Sequence, residues 1–498
     1  MHVQTETTGA PAAKAVTSKA SANAKGDWRV GFQSLEEEIL TPQELEVTTG
    51  ALPRGLEGTL HRIGPSRLDV YGERFRHWFD GDGMVHALTL EGGRVTYRNR
   101  FVETLGKMEE DASLRRVFAG YGTRAPGSAF TRFLGRKKQK NPANTNIVSY
   151  GGKLLALCEG GRPYGLDPVT LATLGEDDMS GMLLPGDTFS AHPKFDRATS
   201  EMWNFGIAYG RKPEARIYRT TAEGVTTRAA TVALPGMALV HDFALTPTKV
   251  VLVIAPLMLP ALPLGMLLGQ RSLGESLHYR PEVGVKIAVL DRETGETRWY
   301  RTDAFMMFHT IQAWDEGADV VVDVCAYPDA DILRTLEDVM GSADPTQARA
   351  LPERLRMRAD GTVTRSRRSG TSLEFPRVAE SAFGREPSRV YGLAWTEDSP
   401  LFNLPIALDV ASGSVSRASI KPWEYAGESV PVSKPGATSE SDVWLLTLVL
   451  DTRARRTELR VLDGADLAAP PVATIALPHV VPFGFHGNFV SRGELTAP

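Results

Sequence analysis

The alternation of apolar and polar positions along the chain predicts mainly short β-strands. Apolar, β-branched runs that end in turn residues occupy 92–103, 152–161, 283–302 and 443–451. The sequences DRETGE and DVASGS lie between such runs and are typical of hairpin turns. Helical periodicity is confined to a few segments, of which 330–340 and 346–358 are the best candidates. The chain is therefore predicted to be all-β.

Strand-like segments continue over about 450 residues without a change in composition that would mark a domain boundary. A β-propeller is the all-β architecture that stays one domain at this length. We therefore expect a single propeller domain over 28–498, although no repeat period reveals the number of blades. Residues 1–27 are rich in Ala, Thr, Ser and Lys and lack an apolar secretory core, which predicts a disordered tail. An organelle-targeting segment is the alternative.

Composition and charge narrow the class of protein. The chain has 42% hydrophobic and 23% charged residues and a net charge of −4, which fits a globular protein and excludes a basic nucleic-acid-binding surface. The two cysteines, Cys158 and Cys325, lie in separate apolar runs and cannot form a disulfide framework. Free thiols fit a reducing compartment, so a cytoplasmic location is expected.

One segment, 250–269, has twenty residues without a charge, which is long enough for a transmembrane helix. Pro256, Pro260 and Pro263 argue against a regular spanning helix. We expect Leu257–Leu268 to form an irregular apolar loop that contacts a membrane peripherally or collects an apolar substrate. The alternative is a loop buried in the core.

Four of the ten histidines stand out because each lies among apolar or aromatic residues beside a predicted strand end. They are spaced 49, 68 and 177 residues apart, too far for one helix or hairpin to gather them. A propeller brings such positions together, since every blade sends its innermost strand to the central axis. These histidines are His192, His241, His309 and His486.

Three glutamates, Glu159, Glu374 and Glu428, have similarly apolar neighbours in the sequence. A carboxylate in such a setting needs a partner, and the N–H of a metal-binding imidazole would supply one. Four neutral imidazoles without a charged ligand suit a divalent metal that keeps open positions for dioxygen. Which glutamate supports which histidine cannot be assigned from the sequence.

Several motifs together resemble the carotenoid cleavage oxygenase family of non-haem iron enzymes. The resemblance covers about 35 to 492 and includes EGTLHRIGP (57–65), FDGDGMVHAL (79–88), NPANTNIV (141–148) and VPFGFHGNFV (481–490). It implies a seven-bladed β-propeller with a dome of loops and a few helices over the metal face. It implies one Fe(II) per chain held by the four histidines, with the three glutamates orienting the imidazoles.

The resemblance further implies an Fe(II)-dependent dioxygenase that uses O2 to split a C=C bond of an apocarotenoid or carotenoid into two carbonyl products. Cleavage of a stilbene or phenylpropenoid is the alternative. Family members that resemble lignostilbene dioxygenases place a lysine before the first glutamate, where this chain has Cys158, and this departure disfavours the stilbene substrate. A non-catalytic propeller that binds an apolar ligand is the alternative of another class. The oligomeric state is not predicted.

Overall fold

The computed structural model describes residues 26–128, 130–132, 139–341, 348–397 and 399–495. Seven antiparallel sheets are arranged around a central axis, so the predicted all-β, seven-bladed β-propeller is confirmed. The predicted tail falls outside the described residues, apart from Gly26 and Asp27. The side chain of Asp27 accepts a hydrogen bond from the backbone N–H of Arg29 and caps the first short helix.

Five blades are built from consecutive segments of the chain, and in each of them the strands follow one another from the innermost to the outermost. Blade 2 contains β8 (Asn146–Tyr150), β9 (Lys153–Leu157), β10 (Tyr164–Leu166) and β11 (Thr173–Glu176); blade 3 contains β12 (Lys194–Asp196), β13 (Glu201–Ala208), β14 (Glu214–Thr220) and β15 (Thr226–Ala233); blade 4 contains β16 (Ala244–Leu245), β17 (Lys249–Ile254), β20 (Val285–Asp291) and β21 (Thr297–Thr302); blade 5 contains β22 (Met306–Glu316), β23 (Asp319–Tyr327), β24 (Leu351–Met357) and β25 (Val363–Arg367); blade 6 contains β26 (Glu374–Arg377), β27 (Arg389–Trp395), β28 (Phe402–Asp409) and β29 (Val415–Arg417).

The two remaining blades close the ring by joining the two ends of the chain. Blade 7 contains β30 (Glu424–Ala426), β31 (Val430–Ser433), β32 (Val443–Asp451), β33 (Arg456–Asp463), β34 (Ala473–Ala476) and, outermost, β2 (Val47–Gly50); blade 1 contains β35 (Gly487–Ser491), β3 (Gly58–Arg67), β6 (Asp82–Glu91), β7 (Arg94–Phe101) and β1 (Ile39–Leu45). Because an N-terminal strand completes blade 7 and the C-terminal strand begins blade 1, neither blade is complete without the other end of the chain.

The remaining elements are short. Two small sheets pair β4 (Asp69–Val70) with β5 (Glu73–Arg74) and β18 (Leu257–Met258) with β19 (His278–Tyr279); the α-helices are α1 (Leu105–Ser113), α2 (Leu264–Leu267), α3 (Asp331–Asp338) and α4 (Arg492–Leu495); the 3-10 helices are Trp28–Phe32, Trp78–Asp80, Gly274–Ser276, Pro281–Val283 and Glu380–Ala382. Among the described residues, no helix is long and apolar enough to cross a membrane.

The apolar core lies between blades, because alternate side chains of each strand face the neighbouring sheet. Ile217 and Leu252, for example, belong to a cluster that joins blades 3 and 4. Val322 and Val289 belong to the cluster that joins blades 4 and 5. This stacking holds the innermost strands in a ring, and it is these strands that carry the candidate site.

Local predictions had different outcomes. The two hairpin turns connect β20 to β21 and β28 to β29, and the helix predicted at 330–340 is α3. The helix predicted at 346–358 is wrong where the structure describes it, because 351–357 form strand β24. Its buried Leu355 and Met357 pack against blade 4, and Arg354 pairs with Asp323 of the adjacent strand. This charge-rich segment could form either a helix or a strand, and these tertiary contacts favour the strand.

The segment Leu257–Leu268 divides into two parts. Leu257 and Leu259 are buried, as the alternative prediction required, whereas Leu262, Leu264 and Leu267 are 62%, 55% and 57% exposed. The second part is not wholly irregular, since it contains the single turn of α2. We call these three exposed leucines the leucine patch.

Candidate metal centre

The seven candidate residues come from seven different blades and meet at the axis. Each lies in a strand or within three residues of one; in the order of blades 1 to 7 they are His486, Glu159, His192, His241, His309, Glu374 and Glu428. The innermost strands begin at the same end of the propeller. Residues at or just before their first positions therefore converge there, which is where His192, His241, His486 and Glu374 lie.

His309 differs, since it is the fourth residue of β22. The pairing of β22 with β23 is irregular between Met307 and Thr310 and again between Thr310 and Gln312. This bulge brings the imidazole of His309 to the same level as the others, although its strand begins earlier. Bulges of this kind re-aim a side chain next to a functional site.

The four imidazoles face one another through their Nε2 atoms. The Nε2 atoms of His192 and His241 are 3.0 Å apart, and those of His309 and His486 are 3.3 Å apart. Nitrogen atoms of His192, His309 and His486 lie within 4.8 Å of one another. His192, His309 and His486 thus lie close enough to hold one metal ion, and His241 joins this group through its contact with His192.

Three imidazoles are held from behind by the three glutamates. Nδ1 of His241 is 2.8 Å from Oε1 of Glu159. Nδ1 of His309 is 2.5 Å from Oε2 of Glu374, and Nδ1 of His486 is 2.9 Å from Oε1 of Glu428. The fourth, His192, approaches a carboxylate only on its other side, with Nε2 3.7 Å from Glu159.

The buried glutamates are themselves fixed by further groups. Arg62 donates to Oε2 of Glu428 at 2.5 Å, and Arg377 donates to Oε1 at 2.9 Å. The hydroxyl of Tyr327 donates to Oε1 of Glu374 at 2.9 Å. Partners of this kind set the direction of each carboxylate and, through it, the plane of the imidazole.

Electrostatics favour charged carboxylates and neutral imidazoles. Burial would raise the pKa of Glu428, but Arg377, His486 and Arg62 outweigh it and hold that pKa well below its usual range. Burial lowers the pKa of His486 to about 4 in spite of Glu428. Burial and the neighbouring imidazoles hold the pKa of His192 well below its usual range. His241 is the exception, because Glu159 outweighs burial and raises its pKa.

This donor set fits a divalent metal. If Nδ1 of His309 and of His486 each donate to a carboxylate, both Nε2 atoms carry lone pairs, and these face each other at 3.3 Å. Two facing lone pairs repel, and a cation between them removes the repulsion. Two imidazole nitrogens bonded to one metal at about 2.1 Å and at a right angle are about 3 Å apart, which matches the observed separations.

Three of the four imidazoles, those of His241, His309 and His486, line an apolar cavity of about 370 Å³. Aromatic rings pack directly on the imidazoles: the centroid of Phe308 is 5.3 Å from that of His241, and that of Phe375 is 5.1 Å from that of His486. Segments outside the blades, including α3 and 237–240, line the rest of the cavity. Cys158 also lies in its wall, and burial raises the pKa of this thiol to about 12.

A second cavity, of about 610 Å³, reaches the same group of imidazoles and has a more polar lining than the first. Its lining includes Lys194, Asp242, Thr310, Arg377 and Asn488, together with His192, His309 and His486. We call the first space the apolar cavity and the second the polar channel.

Several polar residues of the site were missed by the sequence analysis. Arg62, Arg377, Tyr327 and Asp242 all contact the buried carboxylates or the strands that carry histidines. A signal was available for Asp242, which follows His241 directly within the apolar run LVHDFAL. Arg62 and Tyr327 gave no such signal, since their partners lie 366 and 47 residues away in the chain.

Comparisons with known proteins agree with this geometry. The family model described as retinal pigment epithelial membrane protein matches residues 32–491. The chain is 34% identical to the apocarotenoid-15,15'-oxygenase of Synechocystis over 93% of this chain and 96% of the relative. It is 30% identical to a carotenoid 9,10(9',10')-cleavage dioxygenase of Crocus sativus, over 90% of this chain and 86% of the relative. A cobalt-substituted crystal structure of the Synechocystis enzyme matches with a TM-score of 0.86 and 31% identity, covering 93% and 98% of the two chains.

Proposed function

Because this chain belongs to the carotenoid cleavage oxygenase family, which the retinal pigment epithelial membrane protein model describes, we propose that it is an oxygenase that cleaves a C=C bond of an apocarotenoid or carotenoid. The reaction is R–CH=CH–R′ + O2 → R–CHO + R′–CHO, in which one oxygen atom enters each product. The observation that carries the proposal is a cluster of four imidazoles, of which His241, His309 and His486 line an apolar cavity with aromatic walls.

We propose that His192, His241, His309 and His486 bind one Fe(II), with Glu159, Glu374 and Glu428 orienting three of them. Iron bound there would supply the activation of dioxygen. The protein's own residues have a limited task. The three carboxylates lie at Nδ1 of their imidazoles and turn Nε2 toward the metal. Phe308 and Phe375 offer flat apolar surfaces beside the imidazoles, against which a conjugated chain can lie without water.

An apocarotenoid suits the cavity better than a stilbene. The position before Glu159 is a cysteine whose thiol stays neutral, so it offers neither the charge nor the reach of a lysine to a phenol. Apolar area also dominates the lining. A long hydrocarbon chain gains from such a wall, whereas a phenolic hydroxyl needs a partner there.

Incubation of the iron-loaded protein with apocarotenals, β-carotene and hydroxystilbenes, with products identified by mass, tests this function. We expect two carbonyl products from an apocarotenal, each carrying one atom of ¹⁸O when short reactions are run under ¹⁸O2. Cleavage of hydroxystilbenes alone would replace the substrate by the alternative class. No product from any polyene, with iron fully bound, would favour the non-catalytic propeller.

We propose in addition that the leucine patch attaches the protein peripherally to a membrane, from which its substrate is taken. The patch follows Leu259 and surrounds Met266, both of which line the apolar cavity, so a path from lipid to the cavity is short. Each leucine that enters the bilayer interface contributes in proportion to its buried apolar area, at roughly 25 cal/mol per Å².

Flotation with liposomes tests this attachment. Replacing Leu262, Leu264 and Leu267 together by Ser should reduce flotation while the melting temperature is kept. A matched control replaces the exposed Leu114, Leu174 and Leu184 by Ser, and it should float like the parent protein. Equal flotation of the two triple variants would contradict the attachment.

A further inference from the structure

Asp242 is a buried carboxylate beside the metal centre whose partners are not imidazoles. Its Oδ1 accepts from the backbone N–H of Phe243 at 2.8 Å and lies 2.8 Å from Nζ of Lys194. Its Oδ2 accepts from both the backbone N–H and the hydroxyl of Thr310, each at 2.7 Å. Asp242 is 2% exposed, whereas the side chain of Lys194 is 28% exposed and leads from the carboxylate into the polar channel.

Asp242 and its partners Lys194 and Thr310 belong to three adjacent blades, and each lies within two residues of a candidate ligand. Lys194 is two residues after His192 and begins β12 of blade 3. Asp242 directly follows His241, just before β16 of blade 4. Thr310 directly follows His309 in β22 of blade 5. One carboxylate therefore ties together the three segments that carry His192, His241 and His309.

The contact with Thr310 supplies a hydrogen-bond acceptor at the unpaired edge of β22. Because β22 is the innermost strand of blade 5, its axis-facing N–H groups have no further strand to pair with. Asp242 accepts one of them at the irregular part of β22 that carries His309. The single hydroxyl proton of Thr310 is also within reach of the carbonyl of Phe243, at 3.0 Å, so the N–H and the O–H of Thr310 both fasten the bulge to blade 4.

We propose that Asp242 is a positioning residue that sets the spacing of His192, His241 and His309 and thereby the metal affinity of the centre. Its charge is balanced by Lys194, so it acts on geometry rather than by attracting the metal. The inference rests on the metal centre proposed above. It adds a fourth carboxylate to the three glutamates, and this one acts through the backbone of the ligand strands and not through an imidazole.

The test compares Asp242→Asn with Asp323→Asn. Asp323 is also 2% exposed and ion-paired, to Arg354 at 2.8 Å, but its partner lies on β24, which carries no candidate ligand. Two quantities are measured for each protein: the dissociation constant for Fe(II) or Co(II) by chelator competition, and the melting temperature with and without the metal.

We expect Asp242→Asn to weaken metal binding about 10-fold or more and to shrink the rise in melting temperature that metal produces. Asp323→Asn should lower both melting temperatures equally and leave the dissociation constant unchanged. If Asp242→Asn fails to fold, Thr310→Val keeps the test open, because it removes only the hydroxyl and should weaken metal binding by a smaller factor.

Two results would overturn the inference. Metal affinity in Asp242→Asn, or in a soluble Thr310→Val variant, equal to that of the parent protein would show that Asp242 does not position ligands. Equal loss of melting temperature with and without metal would have the same meaning. If the parent protein itself bound no divalent metal, the proposed metal centre would fail, which is a separate and distinguishable outcome.

Discussion

The apolar cavity and the polar channel share His309 and His486 but differ in their linings: the first is mostly apolar, and the second carries many more polar and charged groups. Along the strands that approach the axis, residues on the chain before each histidine line the apolar cavity, as Phe308 and Phe485 do. Residues after it line the polar channel, as Thr310 and Asn488 do. The innermost strands all run in the same direction. Apolar residues before the histidines therefore collect on one side of the imidazoles, and polar residues after them collect on the other side.

The comparison separates two tasks. The apolar side offers aromatic surfaces to a hydrocarbon and excludes water from it. The polar side holds charged groups in pairs, such as Lys194 with Asp242 and Arg377 with Glu428, and these pairs fix the strands and carboxylates that position the imidazoles. Substitutions on the apolar side should therefore change substrate use, and substitutions among the paired charges should change metal binding.

The largest expected effect comes from removing one imidazole of the candidate metal centre, which lies between the apolar cavity and the polar channel. His309→Ala, or the same change at His192, His241 or His486, should abolish turnover and reduce bound iron to a small fraction, since each proposed ligand is required. Iron content and oxygen uptake measure this. His278→Ala, at an exposed histidine of β19, is the control and should keep both. Full iron and normal turnover in one of the four variants would remove that histidine from the site.

A charge in the apolar cavity should have the next largest effect. Leu239 lines the cavity and is half-buried, so Leu239→Asp would place a carboxylate against the polyene. An unpaired charge in apolar surroundings costs several kcal/mol, which corresponds to a loss of about 100-fold or more in kcat/KM. Iron content should stay normal, and Leu239→Met should behave like the parent protein. Loss of iron together with activity would contradict the division of tasks.

The supporting glutamates should have intermediate effects on metal affinity. Replacing one by Gln is expected to weaken metal binding by about 10- to 100-fold. Glu428→Gln should be the most severe because it leaves Arg62 and Arg377 without their buried counter-charge, and Glu159→Gln the mildest because Glu159 is partly exposed. Chelator competition ranks them, and unchanged affinity in all three would refute their role.

The smallest effect concerns protonation of His77, whose ring packs against Phe79 and Tyr121 of the apolar cavity wall. Burial lowers the pKa of His77 to about 3, so the folded protein holds it neutral while the unfolded chain protonates it near pH 6.5. This contribution to the free energy of unfolding is complete above pH 6.5 and is lost as the pH falls toward 3. At pH 5.5 the loss is about 1 kcal/mol.

His77→Asn tests this, because His77 Nδ1 accepts the N–H of Phe79 and an asparagine can cap that turn without titrating. Urea unfolding at pH 7 and pH 5.5 should show a smaller loss of unfolding free energy in the variant. An equal loss in both proteins would assign the acid sensitivity to other groups.

The sequence predicted much of the site and less of the fold. The seven candidate residues stood out because polar groups interrupt apolar runs, and the structure brings them together at the axis. The number of blades came from the family resemblance, since innermost strands range from the two residues of β16 to the eleven of β22 and hide any period. The pairing of glutamates with histidines depends on positions around the ring: Glu374 and Glu428 reach an adjacent blade, whereas Glu159 of blade 2 reaches past blade 3 to His241.

Crystals of the iron-loaded protein, measured at energies above and below the iron absorption edge, test the central claim most directly. The account predicts one anomalous peak per chain, bonded at about 2.1 Å to Nε2 of His192, His241, His309 and His486, with Glu159, Glu374 and Glu428 outside bonding distance. Crystals of His309→Ala should lack the peak. An iron peak coordinated by carboxylate oxygens, or no peak at this ring in fully loaded protein, would contradict the account.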